Sequence, residues 1–142
     1  MSSLRYFETL VPQLKSWVLA HPKTPWIFLE GDLGAGKTTL TKELLEALGF
    51  DFAEVQSPTF LKVISYKNSK GEVALHMDAY RIEEETEFLR LGLEDYESLR
   101  VGIVEWPDSF EKFLTQYPAF KESLDVGAVM KVSLPSQIIK LL

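Results

Sequence analysis

The chain has 142 residues, an apolar fraction of 46%, a charged fraction of 25% and a net charge of −6, the proportions of one soluble globular domain with a real core. It has no cysteine and only two histidines, His21 and His76, far apart, which argues against a disulfide framework, a cysteine-based metal site and a His-rich metal site alike. An acidic chain grips nucleic acid poorly by itself, because that affinity rests on Lys and Arg at phosphates; a role in nucleic-acid metabolism would need a partner that holds the nucleic acid.

The first 17 residues, MSSLRYFETLVPQLKSW, are broken by charge too often for a signal peptide, and no apolar run approaches bilayer length. The expectation is a cytoplasmic protein with residues 1–142 as a single domain. Leu4, Phe7, Val11, Leu14 and Val18 recur at helical spacing, so the first 20 residues read as an amphipathic helix, ended by His21-Pro22 and Thr24-Pro25. Trp26 to Glu30 is a short apolar run, a buried strand leading into glycines. Thr38 to Leu48 is a helix with Leu40, Leu44, Leu45 and Leu48 inward, stopped by Gly49.

Val55 to Thr59 reads as a short strand breaking into a loop. Phe60 to Tyr66 and Glu72 to Asp78 are strand-like, and Asn68 to Gly71 between them has turn chemistry, which predicts an antiparallel hairpin. Glu83 to Leu91 and Glu94 to Leu99 read as short acidic helices broken at Gly92. Val101 to Trp106 is a second buried strand, Asp108 to Tyr117 a helix after Pro107, and VGAVMKVSL and QIIKLL are two closing strands around Pro135. No internal repeat or linker interrupts this order. It implies an α/β, three-layer, P-loop NTPase-like domain whose mixed central sheet is mostly parallel, with antiparallel additions.

The stretch GDLGAGKTT, Gly31 to Thr39, fits GxxxxGK[ST] between a strand and a helix. Glycines at 31, 34 and 36 let the backbone turn tightly and approach phosphates without side-chain clash. Successive N–H groups of Gly31, Asp32, Leu33, Gly34, Ala35 and Gly36 form a nest at the positive end of the next helix. Lys37 is placed to reach the β- and γ-phosphates and the Thr38 hydroxyl to bind Mg²⁺, with Thr39 as a second hydroxyl. Asp32 and Glu30 flank the loop and read equally well as solvated acids.

Phosphoryl chemistry also needs a carboxylate near Mg²⁺ and a group that orients the attacking oxygen. Asp78 and Glu105 each end an apolar strand, the edge at which open α/β sheets bind ligands. This requires the second strand of the hairpin to run parallel to the loop strand. Asp78 is assigned to Mg²⁺ and Glu105 to a water at the γ-phosphate, although spacing allows the roles to be exchanged. Thr59, in the SPTF loop, is either a γ-phosphate sensor or an ordinary turn hydroxyl. By spacing alone Trp106 is a packing or partner residue, and His76, alternating with inward apolar residues, is a satisfied strand histidine rather than a ligand.

No Asn-Lys-x-Asp stretch reads a guanine base, which favours ATP over GTP, and no insertion is long enough for a kinase lid, which favours water as the acceptor. An ATPase is therefore the first reading. A small-molecule phosphotransferase and a nucleotide-gated binding module are the alternatives.

Taken together, GDLGAGKTT, SPTF, HMDAYRI, LGLEDY and VEWPD resemble the bacterial TsaE (YjeE) family, the ATPase component of tRNA threonylcarbamoyladenosine biosynthesis. These motifs run in the family's order from Gly31 to Asp108. The resemblance implies ATP and Mg²⁺ as ligands, slow hydrolysis by the protein alone, and work with the TsaD and TsaB proteins, which transfer the threonylcarbamoyl group to the adenosine beside the tRNA anticodon. It implies that hydrolysis resets that complex between turnovers. Lys37 and Thr38 match the loop residues, Thr59 the switch threonine, Asp78 the Mg²⁺-side aspartate, and Glu105 and Trp106 the Glu-Trp pair at the active site. Tyr80 and Arg81 also match. The departure is C-terminal: the family's last two strands are often joined by a glycine- and arginine-containing turn, where this chain has Leu134-Pro-Ser136 and ends QIIKLL.

Overall fold

The computed structural model describes residues 7–21, 25–32, 34–50, 63–78, 99–105 and 118–142. The first helix, α1 (Leu10–Leu19), buries Leu10, Val11, Leu14 and Val18, the stripe that the helical spacing predicts. Phe7, one turn earlier, is also buried, and its backbone N–H donates to the Glu43 carboxylate at 3.2 Å.

Strand β1 (Trp26–Glu30) is buried from Trp26 through Leu29, as a strand paired on both edges and covered on both faces must be. Helix α2 (Lys37–Ala47) buries Leu40, Leu44 and Leu45. It closes with Gly49 N–H to the Glu46 carbonyl and Phe50 N–H to the Leu45 carbonyl, the paired bonds of a Schellman ending, and Phe50 is buried behind it.

The predicted hairpin is present as β2 (Val63–Lys67) and β3 (Val73–Asp78), antiparallel from Val63↔Met77 to Lys67↔Val73. Asn68 makes the turn, its Oδ1 accepting the N–H groups of Lys70 and Glu72, both at 3.0 Å. Strand β4 (Leu99–Glu105) follows. Its start corrects one expectation: Leu99, which local sequence places at the end of an acidic helix, pairs with Val73 in the sheet. The rest of that acidic stretch, Val55 to Lys62 and Trp106 to Tyr117 lie outside the described residues.

A helix that periodicity does not single out, α3 (Pro118–Asp125), comes next. Its signals are a proline at the first helical position and Gly127 just past the end, where Gly127 N–H meets the Leu124 carbonyl and Ala128 N–H the Ser123 carbonyl. The last two strands, β5 (Val129–Ser133) and β6 (Ile138–Leu141), pair antiparallel around Pro135. Strand β5 begins three residues after Val126, which is exposed.

The six strands lie in the order β2-β3-β4-β1-β5-β6. Strands β3, β4, β1 and β5 are mutually parallel, with β2 and β6 antiparallel at the two edges. The sheet divides the core in two. Ile27, Leu29, Ala74, Val101, Ile103, Met130 and Val132 pack with α1 and α2. Trp26, Phe28, Leu75, Met77, Val104 and Val129 face the other way, where Leu124 of α3 covers them. This is the expected three-layer arrangement. Within it, Trp26 pairs across from Gly102, and a Cβ at Gly102 would stand 2.2 Å from the indole ring.

Arg100, near the start of β4, ties the sheet to the end of α1. Its guanidinium donates to the carbonyls of Val18 at 3.0 Å and His21 at 3.2 Å, and lies 3.7 Å from the Glu72 carboxylate. A cation at a helix C-terminus that also satisfies its last carbonyls is favourable on both counts. Arg100→Ala is expected to cost about 1–2 kcal/mol of stability, read as a lower urea midpoint with an unchanged slope. An unchanged midpoint would mean that water replaces the guanidinium at no cost.

Candidate phosphate site at the carboxyl edge of the sheet

The glycine loop leaves β1 at Glu30 and enters α2 at Lys37. Gly31 is held where a side chain does not fit: a Cβ there would lie 2.6 Å from the Leu134 carbonyl oxygen and 3.1 Å from Ala35 Cβ. Gly36 is the residue before the first turn of α2, with φ 106°, a conformation that glycine adopts without penalty. The ring of Phe7 lies against it, 3.1 Å from where a Cβ would stand. The loop is thus backed by the β5–β6 turn near its start and by Phe7 at its end.

Lys37 curls back over the loop. Its ammonium donates to the Gly31 carbonyl and, at 3.4 Å, to the Asp32 carbonyl, which sets a cation inside the curve of the backbone. Thr38 and Thr39, half-buried, follow in the first turn of α2, which carries no acidic residue. A helix N-terminus with no acid in its first turn, beside a lysine, suits an anion. Gly34 and Asp32 are exposed at the loop's crown.

The flanking acid Glu30 differs from its expected solvated state. Its carboxylate lies 3.3 Å from Lys131 Nζ and accepts the Ser133 hydroxyl at 3.3 Å. It fastens the loop strand to β5 on the face away from α2. The closing hairpin therefore supports the loop.

The sheet brings the two strand-end acids together. Asp78 is opposite Glu105 in the parallel β3–β4 register, and Glu105 is opposite Leu29 in the β4–β1 register, two residues before Gly31. Strand β3 runs parallel to β1, as the assignment of Asp78 requires. Glu105 is only 7% exposed. Leu33, Thr59 and Trp106 lie outside the described residues, and their readings rest on the sequence.

His76, by sequence a satisfied strand histidine, is fully buried, but among the described residues neither ring nitrogen makes a hydrogen bond, and its Nε2 lies 3.2 Å from Glu105 Oε2. The sequence carries half of this signal: His76 stands two residues before Asp78 in one strand. The other half, the register that sets Glu105 beside them, belongs to the sheet.

A parallel sheet with a glycine loop after its central strand, a lysine over that loop and acids at the ends of the neighbouring strands defines a P-loop-type protein. The family model described as "Threonylcarbamoyl adenosine biosynthesis protein TsaE" matches residues 4–132, and the chain belongs to that family. It is similar to the tRNA threonylcarbamoyladenosine biosynthesis protein TsaE of Bacillus subtilis, 48% identical over 90 residues that cover 62% of this chain and 54% of that protein. The TsaE protein of Haemophilus influenzae is 36% identical over 95 residues, covering 66% and 59%. The chain thus spans somewhat more than half the length of these relatives. Among solved structures, Bacillus subtilis YdiB matches with a TM-score of 0.51 at 27% identity, over 89% of this chain and 69% of that one.

Gly31→Ala is expected to lower stability by about 1–3 kcal/mol, because its Cβ meets a backbone carbonyl that has no side-chain freedom to yield. Gly34→Ala, with φ 84° but nothing within 4 Å of the added Cβ, is expected to cost less. Thermal unfolding of both compares them directly, and equal shifts would mean that the Leu134 carbonyl moves aside.

Proposed function

We propose that this chain binds ATP with Mg²⁺ and hydrolyses it slowly, as the cytoplasmic ATPase subunit of a complex with TsaD and TsaB that threonylcarbamoylates the tRNA adenosine beside the anticodon. The observation that carries the ATPase reading is the register, which sets Asp78, Glu105 and the start of the glycine loop side by side on neighbouring strands. Membership of the TsaE family supports the place in tRNA modification. The net charge of −6 agrees with partners, rather than this chain, holding the tRNA.

In this reading the backbone N–H groups of residues 31–36 and the first turn of α2 bind the phosphates, and the Lys37 ammonium moves from the loop carbonyls onto the β- and γ-phosphate oxygens. Thr38 and Asp78 offer oxygen donors of the kind a hard cation takes, and they would hold Mg²⁺, whose charge offsets that on the phosphates. Thr59 senses the γ-phosphate and Trp106 lies near the nucleotide. Glu105 orients the attacking water. A buried carboxylate beside a phosphate loop is suited to this, because positioning and electrostatics supply most of phosphoryl-transfer catalysis.

The direct test is Mg²⁺-dependent phosphate release from ATP, first with the protein alone and then with TsaD and TsaB added. Slow release that rises with the partners is expected. Fast release indifferent to them would describe a self-contained ATPase. Lys37→Ala is expected to weaken ATP binding about 30- to 150-fold, the loss of a charge-assisted contact of about 2–3 kcal/mol. Retained affinity would refute the assignment of the loop.

Glu105→Ala separates hydrolysis from gating. ATP binding is expected to persist while hydrolysis falls about 10²-fold and tRNA modification falls with it. Unchanged modification would leave hydrolysis dispensable and make the chain a nucleotide-gated module.

A further inference from the structure

The contact between His76 and Glu105 has no part in the scheme above, and its physics is unusual. Both side chains are buried, at 0% and 9% exposure, with Nε2 and Oε2 3.2 Å apart. They sit diagonally on adjacent parallel strands, His76 opposite Ile103 and Glu105 opposite Asp78. The face they share presents Ala74, Val101, Ile103, Ile27 and Leu29 to α1 and α2. Among the described residues, the imidazole is the side chain that meets the Glu105 carboxylate. Neither His76 nitrogen, nor Oε2 itself, has a hydrogen bond. The two groups stand 3.2 Å apart without forming a hydrogen bond.

Burying such a pair costs several kcal/mol of desolvation, and a well-packed apolar pair in the same space is often as stable or more so. Stability alone is therefore a weak reason for it. Its position offers a stronger one, since Oε2 is the buried oxygen of a carboxylate at the edge where the loop begins. Resting on the ATPase reading, we infer that His76 is the positioning residue for Glu105. Its Nε2 retains Oε2 against the sheet and directs the other carboxylate oxygen toward the phosphate loop. His76 touches neither nucleotide nor water in this role. It narrows the orientations of Glu105, and positioning of this kind governs turnover rather than affinity.

The experiment uses the full chain with ATP and Mg²⁺, measuring single-turnover phosphate release and, separately, nucleotide affinity by titration. His76→Leu is expected to slow turnover about tenfold with affinity within about twofold. His76→Gln, whose amide nitrogen can occupy the place of Nε2, is expected to recover most of the rate. In the double variant with Glu105→Gln, the His76→Leu change is expected to add nothing, because both act through one carboxylate. Wild-type turnover in His76→Leu, or full additivity in the double variant, would overturn the inference while leaving the ATPase reading intact. If the wild type releases no more phosphate than Lys37→Ala, the ATPase reading falls and the positioning role falls with it.

A readout independent of turnover guards against a leucine variant that does not fold. In the nucleotide-free protein, Glu105→Gln is expected to shift the imidazole ¹⁵N resonances of His76 and leave those of His21 in place. His21 is the control because its Nδ1 is engaged with the Trp17 carbonyl at 2.7 Å. Unmoved His76 resonances would show that the two groups do not touch in solution, and the inference would fail.

Discussion

The structure depends on the parallel pairing of β1 with both β4 and β5. Each residue from Trp26 to Leu29 is matched to β4 on one side and β5 on the other. Such a strand has no solvated edge or face, so it must be apolar along its length, and its polar chemistry is confined to where it ends. The glycine loop begins there. Because β3 and β4 are parallel to β1, their carboxyl ends arrive at the same edge, and Asp78 and Glu105 come with them. One hydrogen-bonding pattern thus buries the core and gathers the acids.

The loop is held from several sides by contacts that are not part of the motif. Glu30 is tied to Lys131 and Ser133 on β5, and the Leu134 carbonyl presses against Gly31. On the other side, Glu43 of α2 holds the backbone of Phe7, whose ring lies on Gly36. A phosphate loop must keep its N–H groups convergent before the ligand arrives, and these contacts restrict its backbone. The C-terminal hairpin contributes to this restraint. The Leu134 carbonyl, at the start of the turn, and the Ser133 hydroxyl, at the end of β5, supply part of it.

Glu105 illustrates how a strand's place in the sheet sets the burial of its end. A carboxylate at a strand end would be a solvated acid if the strand were at an edge. Here β4 is interior, flanked by β3 and β1, and Glu105 is shielded on the face covered by α1 and α2. Water is largely excluded, so the few polar neighbours that remain have large effects on its orientation. His76 is such a neighbour. A buried histidine in a strand usually satisfies its nitrogens on backbone or side-chain groups, and this one faces a carboxylate instead.

Much of the architecture follows from local order in the chain. The helical stripe from Phe7 to Val18, the apolar run at Trp26, the glycine loop, the Asn68 turn and the strands around Pro135 are all local patterns, in which neighbours in sequence decide the conformation. They are legible for that reason, as is the position of Asp78 and Glu105 at the ends of apolar strands. Leu99 and α3 escape such a reading because a single apolar residue, or a short helix begun by proline, takes its state from the sheet it packs on. The registers of β3, β4 and β1 join residues far apart in the chain, and no local pattern encodes them. Local propensity therefore determined which residues could carry the chemistry, and tertiary pairing alone decided that Glu105 meets His76 beside the loop, because burial and strand register exist only once the sheet is assembled.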